Sequence, residues 1–180
     1  MYKFTKGQIN AATSYIKSSG RNTTYINNDT QYFTNGYSVF MLDSGYHFDT
    51  LENTDKNIDL QKHFDELYMD DFSQVVTISQ NELKSAIRNW RTARKNNTKL
   101  SGEEVQPNFE VGTEIFNAYL LLEALKIFGK QSVNVVLAET SHQKVHKFAY
   151  IGLDGRRAML LPIRRKPHTR VYNVSERSAA

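Results

Sequence analysis

The sequence predicts an α+β protein, and three observations predict it. Short runs alternating apolar and polar residues are joined by Asn28-Asp29, Asn35-Gly36 and Asp154-Gly155, pairs that turn a chain between strands. Three longer stretches carry apolar residues at helical spacing. The order strand, helix, three strands occurs near both ends of the 180-residue chain. That length suffices for one substantial domain whose core stands without staples. A composition 39% hydrophobic and 12% aromatic supplies the side chains to fill it.

In order along the chain, residues 2–5 (YKFT) alternate as a short strand. KGQINAATSYIKSSG then sets Ile9, Ala12, Tyr15 and Ile16 on one helical face, with Gly20 as the stop. TTYI, QYFT and YSVFMLD follow as three strands. Residues 51–73 are acidic, with a short helix around LQKHFDELYM. SQVVTIS reads as a strand and QNELKSAIRNWRTARKN as a helix, with Ser79 and Glu82 spaced for a capping box. NNTKLSGEEVQP has loop composition. NFEVG is then a strand, and TEIFNAYLLLEALKIFG a helix that Thr113 caps and Gly129 ends. VNVVLAE, KFAYIGL and RRAMLLPIR complete the chain as strands, the last two joined by Asp154-Gly155 in a type I′ turn. Two βαβββ units of this kind close a core in which both helices pack on one face of the combined sheets.

With no cysteine, disulfides, thiolate metal sites and cysteine nucleophiles are excluded. The first residues lack the apolar core of a signal peptide, and no run is apolar enough to span a bilayer, so a cytoplasmic protein with no membrane partner is expected. The net charge of +4 is unevenly placed. From Arg164 onward five Lys/Arg face one Glu, so residues 1–163 are balanced at 18 basic and 18 acidic side chains. Within that balance, residues 43–71 hold nine Asp/Glu against Lys56 and Lys62, while residues 84–99 hold six Lys/Arg and no acid.

Lys84, Arg88, Arg91 and Lys95 recur at i, i+4, i+7 and i+11, which aligns them on one helical stripe. Leu83, Ile87 and Trp90 mark a different, core-facing stripe, and Arg94 and Lys99 widen the basic patch. Such a row can follow phosphates, and it also reads as a solvated face neutralised by the acidic segment. Signals for catalysis are weak. His142 and His146 have HxxxH spacing but sit between strands without the glutamate of a zinc helix. Asp65, Glu66, Asp70 and Asp71 are ligand types for Mg²⁺ in a segment that reads as solvated. No Gly-rich phosphate loop or nucleophile elbow is present, so no enzyme activity, metal or cofactor is expected.

FEVGTEIFNAYLLLEALKIFGKQSVNVVLAE followed by KFAYIGLDGRRAMLLPIR resembles the last half-domain of the bacterial replicative sliding clamp, the β subunit of DNA polymerase III. In that family a strand ending in Ile/Val-Gly leads to a helix of the Asn-x-x-Tyr-Leu-Leu-Asp-Ala-Leu type. Asn117 to Leu125 is similar to it, with Leu120 where the family has Tyr. Leu161-Pro162-Ile163-Arg164 resembles the closing Met-Pro-Met-Arg strand, and VVTISQNELKSAI also resembles the start of a clamp half-domain.

The resemblance implies one clamp-like domain over residues 1–165, from halves 1–50 and 107–165 with an insertion at 51–106. A flexible basic tail at 166–180 would follow. It implies a non-enzymatic accessory or regulatory protein, of phage or mobile-element type, that contacts the backbone of double-stranded DNA through Lys84, Arg88, Arg91, Arg94, Lys95 and Lys99. One domain cannot encircle DNA, so a homo-oligomer is expected. Met159, Leu161 and Pro162 match the family's pocket for peptides of replication proteins, although the same residues also alternate into a core. The alternative is an interaction protein that binds a host protein through its acidic face or that pocket, without DNA.

Overall fold

The computed structural model describes residues 2–54, 59–68, 73–96, 106–140, 143–163 and 170–173. In chain order the elements are α1 (Lys6–Lys17), β1 (Thr23–Asn27), β2 (Thr30–Thr34), β3 (Ser38–Leu42), α2 (Gln61–Asp65), β4 (Leu67–Tyr68) and β5 (Val75–Ser79). There follow α3 (Gln80–Asn96), β6 (Asn108–Val111), β7 (Glu114–Asn117), α4 (Ala118–Phe128), β8 (Ser132–Thr140), β9 (Gln143–Leu153) and β10 (Arg156–Leu160). The protein is α+β, with a large antiparallel sheet and helices packed against it.

The sheet runs β1-β2-β3-β10-β9-β8, and β4 and β5 both lie along the outer edge of β8. Helix α1 feeds the meander β1–β2–β3, and α4 feeds β8–β9–β10. The two meanders meet last strand to last strand, with Leu42 opposite Arg156, Phe40 opposite Ala158 and Ser38 opposite Leu160. β6 and β7 form a separate hairpin.

Period-two alternation divides the sheet into two faces. Phe33, Phe40, Leu42, Ala149, Ile151, Ala158 and Leu160 belong to the main core with buried residues of α1, α3 and α4. Tyr32, Val39, Phe148 and Met159 belong to a second cluster with Leu60, and Phe64 of α2 packs on it. Helix α4 is central to the helical layer, packed by α1 on one side and α3 on the other.

The last carbonyls of α4 show how closely the layers are joined. A helix leaves its final four carbonyls without intrahelical donors. Lys130 N donates to Leu125 O and Gly129 N to Lys126 O, bonds that the left-handed Gly129, at φ 66°, makes possible. Gln8 Nε2 of α1 donates to Ile127 O, and Arg156 Nη1 of β10 donates to Phe128 O. Both halves of the chain therefore meet at one helix end.

Several sequence expectations are corrected. Residues 2–5 form no strand; Thr5 instead caps α1, its hydroxyl accepting from Gln8 N while the Gln8 side chain accepts from Thr5 N. Helix α1 ends at Lys17, ahead of Gly20, because the Ser18 hydroxyl and Asn22 amide take the free carbonyls of Tyr15 and Ile16. The helix expected from Thr113 starts at Ala118, capped by Asn117, whose side chain accepts from Tyr119 N. The reason is Gly112, at φ 58°, which turns the chain so that Phe116 pairs with Phe109 as a hairpin. Asn28 and Asp29, at φ 46° and 59°, supply the two left-handed residues of a type I′ turn. In Asp154-Gly155 only Gly155 has positive φ, so that turn is of another type.

Within the segment expected as an insertion, β5 extends the sheet and α3 the helical layer. β10 stops at Leu160, and Pro162 lies beyond it, where a missing N–H costs no ladder bond. The chain then crosses between elements, with Leu161 N donating to Tyr37 O and Ile163 N to Ile115 O. Within the expected tail, residues 170–173 lie against β6. Tyr172 N donates to Asn108 O, the Asn173 side chain bonds both backbone groups of Glu110, and the Tyr172 ring joins the main core. Among the described residues no helix is long and apolar enough to cross a membrane.

Candidate nucleic-acid interface

Helix α3 begins at a capping box. Ser79 N donates to Glu82 Oε2 at 2.8 Å, and Glu82 N to Ser79 Oγ at 3.3 Å. Gln80 fastens the same end to the loop after α4, its backbone N–H donating to Gln131 O and its amide to Lys130 O. Leu83, Ala86, Ile87 and Trp90 then bury one stripe of the helix. Burial of that stripe fixes the rotation of α3, and rotation decides what faces water. Lys84, Arg88, Arg91, Arg94 and Lys95 are all exposed. From Lys84 to Lys95 the row spans roughly 16 Å at a rise of about 1.5 Å per residue. Lys99 lies outside the described residues.

The neutralising role expected for the acidic segment meets a geometric obstacle. Among the described residues, no carboxylate lies within ion-pair distance of the five α3 cations. Asp43 pairs with Arg157 at 3.2 Å, and Glu66 with Lys62 at 3.6 Å. Thr54 bonds Thr24 on β1, at the far end of the sheet from β8, and Leu60 and Phe64 cover the face opposite the helices. The described acids of residues 43–71 therefore lie away from α3.

A groove runs between α3 and α4, lined by Lys84, Ile87, Arg88 and Arg91 on one side and Tyr119, Leu122, Glu123 and Lys126 on the other. Arg91 Nη2 donates to Tyr119 Oη at 3.0 Å, and its guanidinium carbon lies 6.0 Å from that ring's centre. Trp90 meets Tyr119 edge to face, with centroids 6.1 Å apart, and Arg94 lies 5.4 Å over the Trp90 ring. On the α4 wall, Lys126 is paired with Glu123 at 2.6 Å. One wall is cationic and the other neutral, so the groove's field is that of an anion site. The sequence alone sets Tyr119 and Lys126 in one helix and gives no sign that either meets the α3 cations. Only the register of α4 against α3 brings them to the cations.

The other candidates fare differently. Met159 is 4% exposed and packs in the second cluster, whereas Leu161 is 42% exposed and Pro162 half-buried. The three do not share one open surface. Asp65 and Glu66 stand at the end of α2, while Asp70, Asp71, His142 and the side chain of His146 lie outside the described residues. Among the described residues no group of three His, Cys, Asp or Glu is gathered to hold a metal.

No family model matches the chain, and comparison with curated proteins and with solved structures finds no match.

Proposed function

We propose that the protein is a non-enzymatic DNA-associated accessory or regulatory protein that contacts the backbone of double-stranded DNA through α3, in the manner of one domain of a replication clamp. The observation that carries the reading is the exposed row Lys84, Arg88, Arg91, Arg94 and Lys95, without a carboxylate partner among the described residues. Cations in a row on one helix suit sequence-independent phosphate contacts, because each releases counterions from the duplex. The clamp-like reading draws support from two helix-plus-meander halves joined at β3 and β10, with α1 and α4 on one face. A homo-oligomer is part of this proposal, since one such domain covers only an arc of a duplex.

The test is equilibrium binding to a short duplex across a range of salt. Four phosphate contacts give a log–log slope of about −3.6, a loss on the order of a hundredfold between 50 and 200 mM salt. The double change Arg88→Glu and Arg91→Glu should abolish binding while leaving the far-UV spectrum unchanged. No binding by the wild-type chain at low salt sinks the proposal. Recovery of a host protein instead, lost on neutralising the exposed Asp49, Glu52, Asp59 and Asp65, would favour the alternative reading of an acidic interaction face.

A further inference from the structure

We infer that the groove between α3 and α4 seats the phosphodiesters of the bound strand, with Tyr119 as a positioning residue for Arg91 and Glu123 holding Lys126 out of play. The inference rests on the DNA reading of α3 and extends it to the α4 wall. Arg91 carries five N–H donors in a planar fork. Its bond from Nη2 to Tyr119 Oη, with the ring alongside the guanidinium, uses one donor and leaves the rest of the fork for an oxyanion. Tyr119 is itself fixed, since Asn117 Oδ1 accepts from its backbone N–H at the start of α4, and Trp90 abuts its ring. The fork is therefore held in place before ligand arrives, which lowers the ordering cost of binding.

Opposite it, Lys126 and Glu123 form a 2.6 Å pair, so α4 contributes a cation and cancels it. The occupant is a nucleic-acid phosphodiester rather than a free anion, because Lys84, Arg88 and Arg91 line one wall at successive helical turns and so match a run of phosphates. A single phosphate would need only one of them.

The experiment measures duplex binding by fluorescence anisotropy against salt, with inorganic phosphate as competitor, for the full chain and its variants. Tyr119→Phe keeps the ring and removes the acceptor. It should weaken binding about three- to tenfold, the value of one hydrogen bond, with the salt slope unchanged because no charge is lost. On an Arg91→Gln background the same change should do nothing further. Glu123→Gln should act in the opposite direction, tightening binding and steepening the slope by about one as Lys126 is released. Millimolar inorganic phosphate should compete no better than chloride at equal ionic strength.

If Tyr119→Phe and Glu123→Gln bind as wild type while the Arg88→Glu, Arg91→Glu chain does not bind, the groove inference fails and the α3 reading stands. A Tyr119→Phe loss that persists on the Arg91→Gln background also overturns it, and specific competition by phosphate reassigns the groove to a free anion. Wild-type protein that does not bind duplex at all removes both.

Discussion

The Tyr15 hydroxyl shows what one buried polar atom asks of its surroundings. It donates to Ser38 O at 2.7 Å, lies 2.6 Å from Ser38 Oγ and accepts from Asn35 N at 3.3 Å. The ring, 2% exposed, meets Phe33 and Phe40 edge to face. Burial raises the pKa of this phenol well above its ordinary value, against the smaller lowering effect of its bonds to Ser38 and Asn35. A phenol whose folded pKa is raised holds its proton in the native state while the unfolded chain loses it. Its contribution is thus full below about pH 10, the unfolded value, and declines as pH climbs toward the folded one. Tyr25 and Tyr32 are raised in the same direction, chiefly by burial. Tyr15→Phe should cost about 1–3 kcal/mol at pH 7, since it leaves the Asn35 N–H without its acceptor, while Ser38 O keeps the bond from Thr34 Oγ1. It should also flatten the alkaline limb of stability, because a group that cannot ionise has nothing to lose there. Urea unfolding at pH 7 and at pH 10.5 checks both. A variant as stable as wild type at pH 7 would show that the hydroxyl network contributes nothing.

At the scale of the element, the ends of helices decide how much of this fold could be read in advance. The Ser79–Glu82 box was legible because both partners lie on the chain within one turn, and Gly129 because glycine takes a left-handed stop at the least steric cost. The start of α4 was not. Glu114-Ile115-Phe116 fits a first helical turn as well as a strand, and the Gly112 turn that pairs it with Asn108–Val111 is a tertiary choice. The same limit governs the site. Spacing alone aligned Lys84, Arg88, Arg91 and Lys95, whereas Tyr119 and Lys126 join them only through packing between helices. The two α4-terminating donors, Gln8 Nε2 and Arg156 Nη1, come from positions 119 and 28 residues distant and left no trace in local sequence. Gly129→Ala tests how far they depend on that end. A Cβ there would sit 2.8 Å from Gln8 Nε2 as well as in a left-handed backbone. The backbone strain alone is about 1 kcal/mol, and displacing Gln8 from Ile127 O adds about 1 kcal/mol more. Thermal unfolding should therefore show a loss near 2 kcal/mol. A loss of 1 kcal/mol or less, unchanged on a Gln8→Ala background, would mean that the side chain moves aside freely.

For the whole molecule, the question is whether the segment between the two halves folds with them or beside them. Its sequence reads as an insertion between the halves, and the contacts of β5 and α3 tie those elements to both. β5 pairs along β8 from Val75–Val136 to Ser79–Ser132, and Leu83, Ala86, Ile87 and Trp90 of α3 share the main core with α1, α4 and both meanders. An element whose apolar stripe is buried in a common core loses that stabilisation when the core opens, so its unfolding is tied to the rest. Trp90, 6% exposed on α3 and the sole tryptophan of the chain, reports on this segment by its fluorescence. Far-UV circular dichroism reports on the whole sheet and helical layer. The two denaturant transitions should coincide, with one midpoint and one slope. Were Trp90 to become solvated at lower denaturant than the dichroism falls, α3 would be a separately melting element. Its cations would then be carried on a mobile arm, and the fixed row of phosphate contacts argued from Lys84 to Lys95 would lose its physical basis.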